Sequence, residues 1–127
     1  MKRLSIYSDH VYALLRIITA LMFTFHGLQK IFGILTEQQP ETGSQIWIGG
    51  LIELWCGFFV ALGFQTRWAA FLASGTMAVA YSQFHWKFQL GQDFFPAVNK
   101  GELAVLYCFV FLFIASRGGV KWCIDKT

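Results

Sequence analysis

The chain has 127 residues, of which 56% are hydrophobic and only 13% charged, and its formal net charge is +3. A soluble domain averages about 45–50% apolar and about 25% charged residues, so the charges here are too few to coat a soluble globule and the apolar residues too many for a disordered chain. The length suits one domain, and a small positive charge with no basic run beyond Lys2-Arg3 excludes nucleic acid as a partner and points instead to the lipid bilayer.

Four apolar segments follow in chain order, to be judged against the roughly 20 residues needed to cross about 30 Å of hydrocarbon. The first, about residues 11–35, carries Arg16, His26 and Lys30. Its apolar region is too long for a cleavable signal and no small-x-small site follows it. Residues 36–45, TEQQPETGSQ, form a polar loop. The second segment, about 46–64, carries Glu53, and the short link Gln65-Thr66-Arg67 makes an antiparallel hairpin with the third, about 68–86, which ends at His85-Trp86. Residues 87–100, KFQLGQDFFPAVNK, mix aromatic and polar groups around Pro96 and read as an interfacial loop, with Phe94 and Phe95 dipping inward. The fourth segment, about 101–116, opens with Glu102 and is short unless it extends toward Val98 or Val120. The expected fold is an all-α membrane protein, a single domain over residues 1–127 built as an antiparallel four-helix transmembrane bundle. With both termini on one side, Lys2, Arg3, Arg67, Arg117, Lys121 and Lys126 oppose Lys30, Lys87 and Lys100. That asymmetry puts both termini in the cytoplasm of a bacterial inner membrane.

Small residues recur every fourth position in two spans: Gly49, Glu53, Gly57 and Ala61 in the second, Ala70, Ser74, Ala78 and Ser82 in the third. Such stripes let helix backbones approach in lipid, and they turn Glu53 toward protein. His85 follows Ser82 on the same side, while Thr19, Phe23, His26 and Lys30 share a face of the first span. A rise of 1.5 Å per residue sets Glu53 roughly 10 Å and His26 roughly 13 Å below the outer end of their spans. His26, Lys30, Glu53, His85 and Glu102 therefore converge in the outer half of the bundle, with Arg16 alone near the inner side.

Ionisable groups within a membrane are costly and by default functional. One reading is a satisfied polar network pinning the helices, with Glu53 accepting from His26 and Lys30 paired to Glu102. The other, compatible with it, is a polar pocket open to the outer side. Metal binding is poorly served, because the E-x-x-H pairs of a di-iron bundle are missing and Lys30 would repel a cation; no metal is expected. Cys56 lies three residues after Glu53, but a reactive thiol needs an accessible, electropositive setting. Cys56 and Cys108 read as small buried hydrophobes, and three cysteines without a C-x-x-C pair make no disulfide framework. Proton transfer to a bound small molecule suits the group best, since histidine titrates near neutral pH and a carboxylate in low dielectric can do so too. A quinone headgroup in an apolar, aromatic cavity needs such partners.

The sequence resembles the DoxX family of small four-span membrane proteins over nearly its whole length, from about Leu15 to Asp125. The resemblance rests on Arg16, on FHGLQKIFG from Phe25 to Gly33, on GLIEL from Gly50 to Leu54 and on LGFQTRWAA from Leu62 to Ala70. His85, Phe94-Phe95-Pro96, NKGEL from Asn99 to Leu103 and the ending RGGVKWCID from Arg117 to Asp125 complete it, with Gly119 where proline is common and Cys123 where serine is common. The family includes the small subunit of a thiosulfate:quinone oxidoreductase and proteins linked to membrane complexes handling thiols and oxidative stress. The resemblance implies a membrane subunit of a redox complex passing electrons from a sulfur or thiol donor to quinone. It implies catalytic roles for His26, Glu53 and His85 and ligand-binding roles for Lys30, Glu102 and Arg16, with Arg67 also carried over. Expected partners are the lipid bilayer and other membrane subunits or a second copy of the chain. The alternative is a non-enzymatic binding or assembly protein that stabilises a larger membrane complex.

Overall fold

Helices form along the apolar stretches and stop where the sequence supplies caps. The computed structural model describes residues 1–126, which contain helices and no strand. A short α1 (Lys2–Ser5) precedes α2 (Ser8–Phe32), α3 (Gln45–Leu62) and α4 (Thr66–Ala80). A π-helical turn over Tyr81–Trp86 prolongs α4, a single 3-10 turn covers Gln92–Phe94, and α5 (Pro96–Asn99) leads into α6 (Glu102–Arg117). α2 and α3 are each long and apolar enough to cross a membrane. Both end on a glycine in the left-handed region, Gly33 at φ 65° and Gly63 at φ 68°, where a side chain would be strained. α3 starts on Ser44, whose hydroxyl accepts from the Trp47 amide. α2 begins before the apolar boundary at Val11, because Ser8-Asp9-His10 continue the helix in polar residues, and it ends at Gly33 rather than Leu35.

α2 and α3 form the closest contact. A Cβ on Gly27 would stand 2.7 Å from Leu54 Cα and 2.8 Å from the Gly50 carbonyl; one on Gly57 would stand 2.8 Å from the Thr24 amide and 3.0 Å from the Ala20 carbonyl. Residue numbers fall along α2 as they rise along α3, so the two run in opposite directions. α4 and α6 pair in the same sense, with the Ser74 hydroxyl donating to the Cys108 carbonyl at 2.7 Å. Phe23 of α2 packs on Tyr107 and Phe111 of α6, ring centroids 5.4 and 4.6 Å apart. These rings join Val60, Ala70, Ala73 and Ile114 in a fully buried centre.

The expected stripe on α4 needs correction. Ala70 and Ser74 are buried, but Ala78 is exposed and Ser82 half-buried. Steps of four residues advance 400° around a helix of 3.6 residues per turn, so the stripe drifts off the contact face. The true face alternates steps of three and four: Thr66, Ala69, Ala70, Ala73, Ser74, Met77. On α3 the same drift leaves Gly49 half-open while Gly50 takes the contact with α2.

One end of the molecule is tied by side chains to backbone. Arg16, fully buried, donates from Nη1 to the carbonyls of Val60 (2.5 Å) and Ala61 (3.1 Å), and from Nη2 to those of Lys121 (2.9 Å) and Trp122 (2.8 Å). Tyr12 donates to the Gly118 carbonyl at 2.7 Å, and Arg67 to the carbonyls of Ala115, Ser116 and Arg117. The Asp125 carboxylate accepts from the Gln65 and Thr66 amides, both at 2.8 Å, capping α4 from the tail. Gly119 and Cys123 lie against each other: a Cβ on Gly119 would stand 2.6 Å from Cys123 Sγ.

Candidate functional site

At the other end of the helices a cavity of about 530 Å³ opens between α2, α3, the end of α4 with its π turn, and α6. Apolar side chains form most of its wall, among them Phe23, Ile52, Met77, Phe84 and Ala104. His26, Lys30, Glu53 and His85 line the same space.

Glu53 is the centre of the polar group. It is 3% exposed, and its Oε1 accepts from Lys30 Nζ at 2.7 Å. Lys30 reaches it because Gly50 carries no side chain: a Cβ there would stand 2.7 Å from the Lys30 Cβ. The lysine is about a third exposed at its side chain while the carboxylate is not, so the pair joins the cavity rim to its floor. A buried carboxylate needs a partner to offset desolvation, and Lys30 supplies it. The second oxygen, Oε2, is buried with no hydrogen-bond partner among the described residues.

Tyr107 of α6 shares that condition. The residue lines the cavity and is buried at 5% exposure, and its hydroxyl has no hydrogen-bond partner among the described residues. His26 meets the Tyr107 ring edge-on, centroids 6.3 Å apart at 85°. His85 enters from the π turn, with Nδ1 3.3 Å from the Asn99 carbonyl and its ring stacked on Tyr81. A π turn adds a residue to the helical register and is frequent at functional sites; here it swings His85 and Phe84 to the cavity wall. Asn99 braces the loop opposite, its amide nitrogen donating to the Tyr81 hydroxyl (3.1 Å) and the Asp93 carbonyl (2.8 Å).

The expected pairings differ from those observed. Lys30 bonds Glu53 rather than Glu102, and Glu53 accepts from Lys30 rather than from His26. Glu102 is exposed at the start of α6 and does not line the cavity. Arg16 lies at the opposite end, with both terminal nitrogens occupied by carbonyls. Phe94 and Phe95 are exposed. Among the described residues no three His, Cys, Asp or Glu side chains gather as a metal-binding group. Sequence reasoning passed over Tyr107, Gln45 and Lys100, which also line the cavity. Tyr107 was findable, since Ala104, Tyr107, Phe111 and Ile114 repeat at helical spacing and are the buried face of α6. Lys100 gave no periodic signal, because it sits in a loop with φ 60°.

The three free cysteines, Cys56, Cys108 and Cys123, lie outside this lining, Cys56 being buried. Outside the helices, burial pushes the Asp125 carboxyl up, but hydrogen bonding at Thr66 and the Gln65 amide, together with the Arg16 charge, outweighs it and holds the group below the usual aspartate range.

Comparison with known proteins places this geometry in a family. A model of the DoxX family matches residues 11–86, which contain Arg16, His26, Lys30, Glu53 and His85. An uncharacterized protein of Haemophilus influenzae is 35% identical over 130 residues, covering 99% of this chain and 96% of its own. No solved structure matches.

Proposed function

Because the chain belongs to the DoxX family of membrane proteins, we propose that its helices form an antiparallel four-helix transmembrane bundle in the bacterial inner membrane, with both termini cytoplasmic and the cavity opening outward. In that setting the protein is a subunit of a membrane redox complex passing electrons from a sulfur or thiol donor to quinone. The observation that carries the reading is a pair of buried polar atoms without a partner among the described residues, Glu53 Oε2 and the Tyr107 hydroxyl, on two residues that line an apolar cavity of about 530 Å³.

The donor set suits a quinone headgroup. Phe23, Ile52 and Met77 give the ring an apolar wall, while His26, Tyr107, Lys30 and Glu53 offer donors and acceptors at one end. A bound quinone supplies two-electron, two-proton chemistry. This chain's own residues would hold the ring, keep bulk water from it and move protons. His26 and His85 line the same space, and an imidazole can both take and give a proton, so either can pass one between the open mouth and the buried carboxylate. Lys30 holds Glu53 through Oε1 and leaves Oε2 without a protein partner among the described residues. Arg16 has no part in this: four carbonyls hold it at the far end, where it ties α3 to the tail.

The test is Glu53→Gln in the purified membrane complex, followed in parallel by thermal stability and by quinone reduction. A proton-handling site predicts near-normal stability and lost activity. A structural pin, as the assembly-protein alternative requires, predicts a loss of about 3–5 kcal/mol when one member of a buried pair is removed, with partial rescue by a second substitution, Lys30→Gln. A stable variant with full activity would refute both.

A further inference from the structure

The hydrogen-bond character of the cavity floor restricts what can bind there. Glu53 is ion-paired to Lys30 through Oε1, so its side chain is a carboxylate and can only accept. Its free oxygen, Oε2, is buried without a partner. A buried acceptor left unmatched costs about 1–3 kcal/mol, and more when charged. A ligand hydroxyl directed at Oε2 supplies the missing donor. A carbonyl or ether oxygen in the same position sets lone pair against lone pair. The Tyr107 hydroxyl, the other unpartnered group, can donate or accept, so it tolerates either ligand and adds no discrimination of its own.

We infer that the cavity selects a ring headgroup bearing a hydroxyl donor, a phenol or hydroquinone, over the matching ether or dicarbonyl quinone. The inference rests on the reading above that the cavity is a ring-headgroup site, and it adds which form of the ring is preferred. One charge-assisted hydrogen bond gives at least about tenfold preference. Quinone takes up two electrons and two protons to become hydroquinone, so tenfold tighter binding of the reduced form raises the potential of the bound couple by about 30 mV. The site then draws electrons toward the ring it holds, which is the direction the proposed function requires.

The experiment uses two redox-inert probes of matched shape, 4-heptylphenol and its methyl ether 4-heptylanisole, titrated calorimetrically into the purified full-length protein in detergent. The phenol is expected to bind at least about tenfold tighter. In Glu53→Gln the amide oxygen must face Lys30, which has only donors, so the amide NH₂ faces the cavity. The preference should then vanish or reverse toward the ether. Equal affinity of the two probes for the wild-type protein would overturn the inference and leave the site reading standing. Binding of neither probe would overturn both. The wild-type comparison decides the matter even if the variant fails to fold.

Discussion

Arg16 is the most demanding structural element in the chain, and removing it tests how the far end is held. It is fully buried and makes four bonds to carbonyls on two separate elements, the end of α3 and the tail. Charge-assisted bonds contribute roughly 1.5–3 kcal/mol each, so four set an upper figure of about 6–12 kcal/mol. In Arg16→Met the Val60 carbonyl keeps the Gly63 amide at 3.1 Å, and the partners on the tail are within reach of water. The expected loss is therefore about 3–5 kcal/mol, in the range for breaking a buried charged interaction. At roughly 4–8 °C per kcal/mol for a domain near 100 residues, the melting midpoint should fall by more than about 10 °C. A second readout follows from geometry. Cys123 packs against Gly63 and Gly119 only while the tail is docked, so maleimide labelling at Cys123, quantified by peptide mass spectrometry, should accelerate in the variant. Arg16→Lys should fall between the two, because a single ammonium cannot span carbonyls on both elements as the planar guanidinium does. A wild-type midpoint together with unchanged Cys123 labelling in Arg16→Met would refute the assignment.

Gly57→Leu should lower the thermal midpoint far more than Phe58→Leu, since a side chain at Gly57 meets the Thr24 amide and Ala20 carbonyl whereas Phe58 is exposed; equal midpoints would disprove the α2–α3 seam. Asp125 is held below its ordinary range, so its contribution is complete above the unfolded aspartate value of about 3.9 and is lost as pH falls through the folded value. Acidification through that range should therefore lower the thermal midpoint of the wild type, while Asp125→Asn should start from a lower midpoint at neutral pH and lose that part of the acid dependence. For the membrane topology, single cysteines at Gln39 and Gln92 should react with an impermeant thiol reagent in cells stripped of outer membrane, and one at Lys126 should not; the opposite pattern would reverse the proposed orientation.

Much of the helical frame was readable because it follows from short-range rules. Apolar length marked the helices and the Gln65-Thr66-Arg67 link the hairpin, while the apolar boundaries at Leu35 and Phe64 overran the helix ends at Gly33 and Gly63. Burial of Glu53 followed from its place among small residues. What could not be read was which partner each buried polar group finds. Lys30 reaches Glu53 by lying across Gly50, a route set by interhelical distance rather than by either helix's own pattern. Depth alone matched His26 to Glu53, and depth is one coordinate of three. Arg16 drew attention as an intramembrane charge, but its partners are backbone carbonyls, which no side-chain pattern reports. His85 was misjudged only in its setting: the π turn that aims it breaks the 3.6-residue count used to assign its face.

The central claim, that the cavity beside Glu53 holds a ligand of the membrane phase, is tested most directly by filling it. Gly49 lines the cavity, and a Cβ built there meets nothing within 4 Å. Gly49→Leu should therefore occupy the space without displacing a neighbour, and replacing a helical glycine favours the fold by up to about 1 kcal/mol. The measurement is mass spectrometry of quinones co-purified with wild-type and Gly49→Leu protein from the same membranes, normalised to protein and accompanied by melting midpoints. Quinone should be bound to the wild type and lost from a variant of equal or greater stability. Equal quinone on a folded Gly49→Leu protein, or none on the wild type, would contradict the claim.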